Sequence, residues 1–216
     1  MAYSFPLSTA EFMDRLPISQ IAFDLPEARE ISETKGGEIL TAELGTRLWQ
    51  GQITLDVMTS TEADEAIAML DVARRAGASF MVHDVRRPFP RLDPTGTIAD
   101  GTVVLYGVRN GREIQVVGGV PNGFRLQRHD YLAFTYGTNP VRYALHRVAS
   151  PATFTNGLTG WFEVSPSLRP GWTTSATVRL RRPACKAIIV PGSFQPGRVK
   201  ETITSGVSFR FSQTLR

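Results

Sequence analysis

His83, His129 and His146 are the residues of this chain best suited to acid–base work, and two of them stand beside an aspartate, as His83-Asp84 and His129-Asp130. An imidazole next to a carboxylate suggests a base and its orienter. Adjacent residues on a strand point to opposite faces, however, so neither dipeptide is good geometry for a catalytic relay. The sequence holds no G-x-S-x-G elbow, no H-E-x-x-H pair and no phosphate-binding loop. A metal site would need the three histidines to converge, with Asp84 or Asp130. His83 and His146 lie in strand patterns and read as core or edge residues. Among the carboxylates, Glu62, Asp64 and Glu65 suit the start of a helix, and Asp93 and Asp100 fall in turn sequences. Cys185 is the single cysteine, so one chain can form no disulfide and no thiolate zinc site; it reads as a small apolar residue near a strand. No catalytic, cofactor-binding or metal-binding residue is assigned, and no cofactor is expected.

The elements that would position these residues are mostly strands. The exception is "TSTEADEAIAMLDVARRAG", Thr59 to Gly77, which predicts one amphipathic helix over 59–76. Thr59 and Glu62 match a capping box, with Thr61 as another possible cap. Acidic residues in the first turn and Arg74 and Arg75 in the last complement the helix dipole. Ala63, Ile67, Leu70 and Ala73 form an apolar stripe, widened by Ala66 and Met69. Gly77 fits the position just past the end. Upstream, "IAFDLPEAREISET" is interrupted by Pro26 and reads as an edge strand or hairpin arm. In "LWQGQITLDV", Ile53, Leu55 and Val57 share a face, and Trp49 is the expected core anchor.

"RRPFPRLDPTG", Arg86 to Gly96, holds three prolines and reads as a linker. Beyond it come only short strands, divided by Asn110-Gly111, Asn122-Gly123 and Asn156-Gly157, the dipeptide of tight hairpins. Five or six such strands suggest a small closed barrel or sandwich. "RRPACK", Arg181 to Lys186, reads as a second crossing. The tail "GVSFRFSQTLR" alternates again, with Val207, Phe209 and Phe211 inward and Ser208, Arg210 and Ser212 outward. Its pattern matches the first region and not the middle one. The expected fold is therefore mainly β with one helix: a discontinuous β-sandwich or split barrel from 1–92 and 184–216, with 93–183 inserted as a small OB-like β-barrel. Phe209 and Phe211 join Trp49 as core anchors. Val207, Ser208, Arg210 and Ser212 are the candidate subunit interface, if the tail strand lies at an edge and pairs between copies.

Hydrophobic residues make up 42% of the chain, which excludes disorder as a class. No apolar run is long enough to span a bilayer. "MAYSFPLSTAEF" lacks the charged and apolar regions of a secretory signal, so synthesis and first residence in the cytosol are expected. The net charge of +4 is too mild to indicate nucleic acid. Phe124, Tyr131, Phe134, Tyr136 and Tyr143 stand beside Arg125, Arg128 and Arg142, but the aromatics fall on both strand faces, as packing would also require.

Four stretches resemble a known family. "DYLAF" (Asp130 to Phe134), "LHRV" (Leu145 to Val148), "VSPSLRP" (Val164 to Pro170) and "RRP" (Arg181 to Pro183) follow the Trp-led strand–helix–strand unit in order. Together they look like the distal tail and baseplate proteins of long-tailed bacteriophages and related tail-like particles, over roughly residues 45–185. The resemblance implies a ring, usually of six copies, at the end of the tail tube. Such a ring would contact the tube protein, the baseplate hub and the fibres or receptor-binding proteins outside, and would be located in the virion after assembly in the host cytoplasm. It implies a first domain that forms the ring through β-sheet contacts and a peripheral second domain, in some members a small five-stranded barrel like an OB-fold. It supplies no catalytic residues, and tight nucleic-acid binding is not expected. Other readings are a hub or carbohydrate-binding receptor module of the tail tip, a cell-wall hydrolase, and a nucleic-acid binder.

Overall fold

The structure is a computed structural model that describes residues 3–45, 47–98 and 102–216; Asp100 lies outside them. The first part of the chain contains β1 (Ile18–Asp24), β2 (Arg29–Glu33), β3 (Ile39–Glu43), β4 (Gln50–Leu55), β5 (Met58–Thr59), α1 (Ser60–Ala73) and β6 (Phe80–Val82). The middle contains β7 (Val103–Arg109), β8 (Glu113–Gly118), β9 (Arg125–Leu126), β10 (Tyr131–Tyr136), β11 (Arg142–Val148), β12 (Ala152–Thr155), β13 (Leu158–Thr159), β14 (Phe162–Ser165) and β15 (Thr177–Arg179). The last part contains β16 (Cys185–Ile189), β17 (Gln195–Lys200) and β18 (Ile203–Gln213). The described residues are mainly β, with a single α-helix among them, a closed six-strand barrel and curled sheets.

One sheet runs β1-β4-β18-β16-β6, with β5 and β17 also paired to β18, so its strands come from both ends of the sequence. The tail strand lies at its centre. Val207, Phe209 and Phe211 enter the core at 0%, 0% and 1% exposure, and the period-two alternation places Ser208, Arg210 and Ser212 on the other face. Phe211 needs a glycine beside it: a Cβ on Gly51 would lie 2.6 Å from its ring and 2.0 Å from the carbonyl oxygen of Ala22. Trp49 is fully buried, with Phe23 at 5.2 Å and Tyr131 at 5.7 Å between ring centroids. Val57, expected to share the face of Ile53 and Leu55, lies instead beyond the end of β4 and is exposed.

The helix is shorter than its pattern. Thr59 is the N-cap: its N–H donates to Glu62 Oε2 at 2.9 Å, and Glu62 N donates back to Thr59 Oγ1 at 3.4 Å. The Thr59 N–H and then the Thr59 hydroxyl, which also donates to Glu62 Oε2 at 2.9 Å, hold the Glu62 carboxyl below its ordinary range. Only Glu62 is acidic within the first turn, so Asp64 and Glu65 fall beyond it. The last helical residue is Ala73; Arg74 is the C-cap, so Arg74 and Arg75 follow the helix and do not occupy its last turn. Arg74 instead pairs with Asp71 at 2.9 Å and lies over the Phe194 ring at 4.3 Å, tying the helix end to the loop before β17. The buried stripe is Ala63, Ala66, Leu70 and Ala73. Ile67, expected within it, is only half-buried. At about 100° per residue, Ala66 and Ile67 flank the Ala63–Leu70 line on opposite sides. The side with the small alanines faces the core, where they permit a close approach.

In the middle region, β14-β11-β10-β15-β7-β8 closes on itself through a β14–β8 pairing, with β13, β12 and β9 extending from β8. Six strands close this barrel, within the five or six that the sequence suggests. Leu105, Ile114, Val116, Leu132, Phe154 and Phe162 fill the core of this region. Asn110-Gly111 and Asn156-Gly157 make the expected tight turns, with φ of 53° and 62° in the first and 52° and 79° in the second. Asn122-Gly123 is no hairpin: it leads into β9, and Asn122 Oδ1 accepts from Asn156 N at 3.0 Å.

Candidate functional site

Neither His-Asp pair forms a base–orienter dyad. The Asp84 carboxylate, 1% exposed, accepts from Arg86 Nε and Nη2 at 3.0 Å each and from Arg86 N at 3.1 Å. His83 is buried beside it with Nδ1 unpaired. Burial and then Arg182 lower its pKa, against opposing pulls from Asp14 and Asp84. Asp130 accepts from Gln127 N at 2.8 Å and Arg91 N at 3.0 Å, so it braces two turns. Burial raises its pKa, and those two bonds work the other way. His129 occupies left-handed backbone at φ 75° and meets Tyr131 edge-on; burial and then Arg147 lower its pKa. His146 is fully enclosed, with Nδ1 2.8 Å from the carbonyl oxygen of Pro166 and its ring stacked 5.5 Å from Phe134. Burial lowers its pKa to about 4, so near neutrality the ring is uncharged and donates Nδ1–H to that carbonyl. Burial raises the Cys185 thiol far above its ordinary value, and the residue packs in β16 opposite Val82. Among the described residues no three His, Cys, Asp or Glu side chains gather as metal ligands.

The polar groups that do converge join the two sheets. Trp49 Nε1 donates to Leu145 O at 2.7 Å, and Trp49 N donates to Gln213 Oε1 at 3.1 Å. Gln213 Nε2 in turn donates to Tyr143 O at 3.1 Å. The Arg147 guanidinium lies 4.9 Å from the Trp49 ring and 5.5 Å from Tyr131, and bonds the Tyr131 hydroxyl at 3.2 Å. Tyr131, Ala133 and Leu145 belong to the barrel strands yet pack in the core of the first sheet. The two crossings lie together, with Arg182 N donating to Pro88 O at 2.6 Å. The proline-rich stretch is thus a set of anchored turns and not a slack linker.

The opposite situation holds at the hairpin β2–β3, the arm. Its strands pair only with each other, with Ile31 opposite Thr41 and Glu33 opposite Ile39. Every residue of both strands is exposed, including Ile31 and Ile39 at 64% each; Leu44 beyond the end is 69% exposed. A Thr34–Glu38 turn closes it: Thr34 N donates to Glu38 O at 2.9 Å, and Gly37 takes φ 80°. At its base Arg47 Nη2 donates to Ser165 Oγ at 3.0 Å, beside an open cleft of about 440 Å³. A lone two-stranded hairpin is marginally stable in water. Sequence reasoning allowed a hairpin arm in this region but missed the Gly36-Gly37 turn signal and the run of glutamates.

The expected interface on the tail strand is corrected. Val207 is wholly buried, so it serves the core. Arg210 is exposed, and Ser208 and Ser212 are half-buried on the outward face. Both edges of β18 are taken, by β4 and β5 on one side and by β16 and β17 on the other, so it has no free edge for another copy. Among the described residues, the strands of four or more residues with a side unpaired are β1, β2, β3 and β17. No helix among them is long and apolar enough to cross a membrane. No family model matches this sequence, and no curated protein matches it.

Proposed function

We propose that the chain is a structural subunit of the tail tip of a bacteriophage or phage-like particle. In this reading it forms a closed ring, of six copies, that joins the tail tube to the baseplate hub and supports fibres or receptor-binding proteins outside. The observation that carries the reading is the arm: a formed hairpin with apolar side chains and no core of its own, which gains burial only from another chain. An arm that engages a different surface on the next copy is a head-to-tail contact, and such contacts build a ring when the rotation between copies closes. The ordered tail-protein motifs support the same assignment. The histidines and the cysteine are committed to packing, in keeping with mechanical work and no bond-breaking.

The test is copy number in isolated particles, from symmetry-averaged images and quantitative mass spectrometry against the tube protein. Six copies around the tail axis are expected. Three copies would assign the chain to a hub, and absence from the particle would overturn the reading.

One observation favours a second reading, a carbohydrate-binding receptor module. Trp161 is 43% exposed and lies across Gly107, where a Cβ would come within 2.9 Å of the indole. Arg109 stands 5.5 Å from that ring, and Tyr106 is also exposed. Glycan-array binding lost on Trp161→Ala would favour this reading over the first.

A further inference from the structure

We infer that the acidic arm of one copy adds to the basic edge of β17 on the next copy around the ring. This names the partner surface within the ring reading and rests on it. Residues 27–43 carry Glu27, Glu30, Glu33, Glu38 and Glu43 against Arg29 and Lys35, a net charge of −3. The remaining 22 basic and 15 acidic residues leave the rest of the chain at +7. The arm is therefore an acidic appendage on a basic body, and charge complementarity directs it to a basic acceptor.

Among the described residues outside the arm itself, two strands of four or more residues have an unpaired edge that can receive it, β1 and β17. β1 carries Asp24 and no basic side chain, so it would repel the arm. β17 carries Arg198 and Lys200, both exposed, with Val199 at 70% exposure between them and Ile203 exposed across the turn. It pairs with β18 on one side only. Pro196 has no N–H to give, which confines added pairing to Gly197–Lys200. Lys and Pro on an edge ordinarily discourage strand addition. An acidic strand is the kind such an edge admits, because its glutamates neutralise the charge that turns others away. The apolar residues of the arm and Val199 then leave water together. Because arm and edge are different surfaces, each copy gives one and receives one.

The experiment reverses charge on each side. Glu30→Lys with Glu33→Lys alters the arm; Arg198→Glu with Lys200→Glu alters the edge. All four side chains are exposed, so both variants should keep the melting temperature of the parent. By sedimentation, each variant alone is expected to lose at least about tenfold in association. An equimolar mixture should recover it to within about threefold, because in alternating copies every arm meets an edge of opposite charge. Rings that persist in both variants, or a mixture that stays dissociated, would overturn the edge assignment and leave the ring reading standing. A parent chain that remains monomeric at every concentration would instead defeat the ring reading itself.

Discussion

The junction between the two sheets and the projecting arm use similar residues in opposite ways. At the junction, Trp49, Tyr131 and Leu145 are buried, and the indole N–H has its carbonyl partner at 2.7 Å. In the arm, Ile31, Ile39 and Leu40 are left in water and the hairpin touches no core. The junction is completed within one chain. The arm is left in water by its own chain, and in the proposed ring a second copy completes it. The contrast separates what holds this molecule together from what it offers to others, and each half can be broken without the other.

The largest effect is expected inside. Leu70→Asp places an unpaired charge at a fully buried helix position and should remove more than about 4 kcal/mol, enough to unfold the first sheet; an unchanged melting temperature would mean that the stripe is not a core face. Trp49→Ala should cost about 3–5 kcal/mol, measured by urea denaturation, because it deletes the buried ring that packs against Phe23 and Tyr131 and leaves the Leu145 carbonyl without its donor.

A smaller effect depends on pH. The pKa of His146 is about 4 in the fold against an ordinary 6.5, so the unfolded chain takes up the proton first. Stability is full above pH 6.5 and falls as pH drops toward 4, by up to about 3 kcal/mol. His83 and His129, also lowered, add in the same direction. His146→Gln should flatten the slope of urea midpoints between pH 7 and pH 4.5, and an unchanged slope would place the titration elsewhere. The smallest effect on stability is expected in the arm. Ile39→Asp with Leu40→Asp should move the monomer's stability by no more than about 0.5 kcal/mol while abolishing assembly. A large loss of stability would show that the arm is packed within its own chain.

What could be read in the sequence follows the same division. The Thr59–Glu62 capping box, the alternation of the tail and two of the three Asn-Gly turns are local patterns, and each is realised in the fold. Alternation tells which face of β18 is buried. It does not tell whether its edges are free, because neighbours such as β4 are recruited from more than 140 residues away. The Trp49–Leu145 bond, across 96 residues, is invisible for the same reason. Ile67 shows the limit of a helical stripe: periodicity gives a face about 100° wide, and the packing partner decides which flank it takes. The arm was hardest to read because its strands bury neither face, so they lack the alternation that marks an ordinary half-buried strand.

The most direct measurement is the mass of the purified chain in solution, intact and with residues 28–44 replaced by a short Gly-Ser bridge. A closed six-fold ring for the intact chain and a folded monomer for the armless one are expected. A single molecule in both cases, or a ring unaffected by loss of the arm, would contradict the assembly described above.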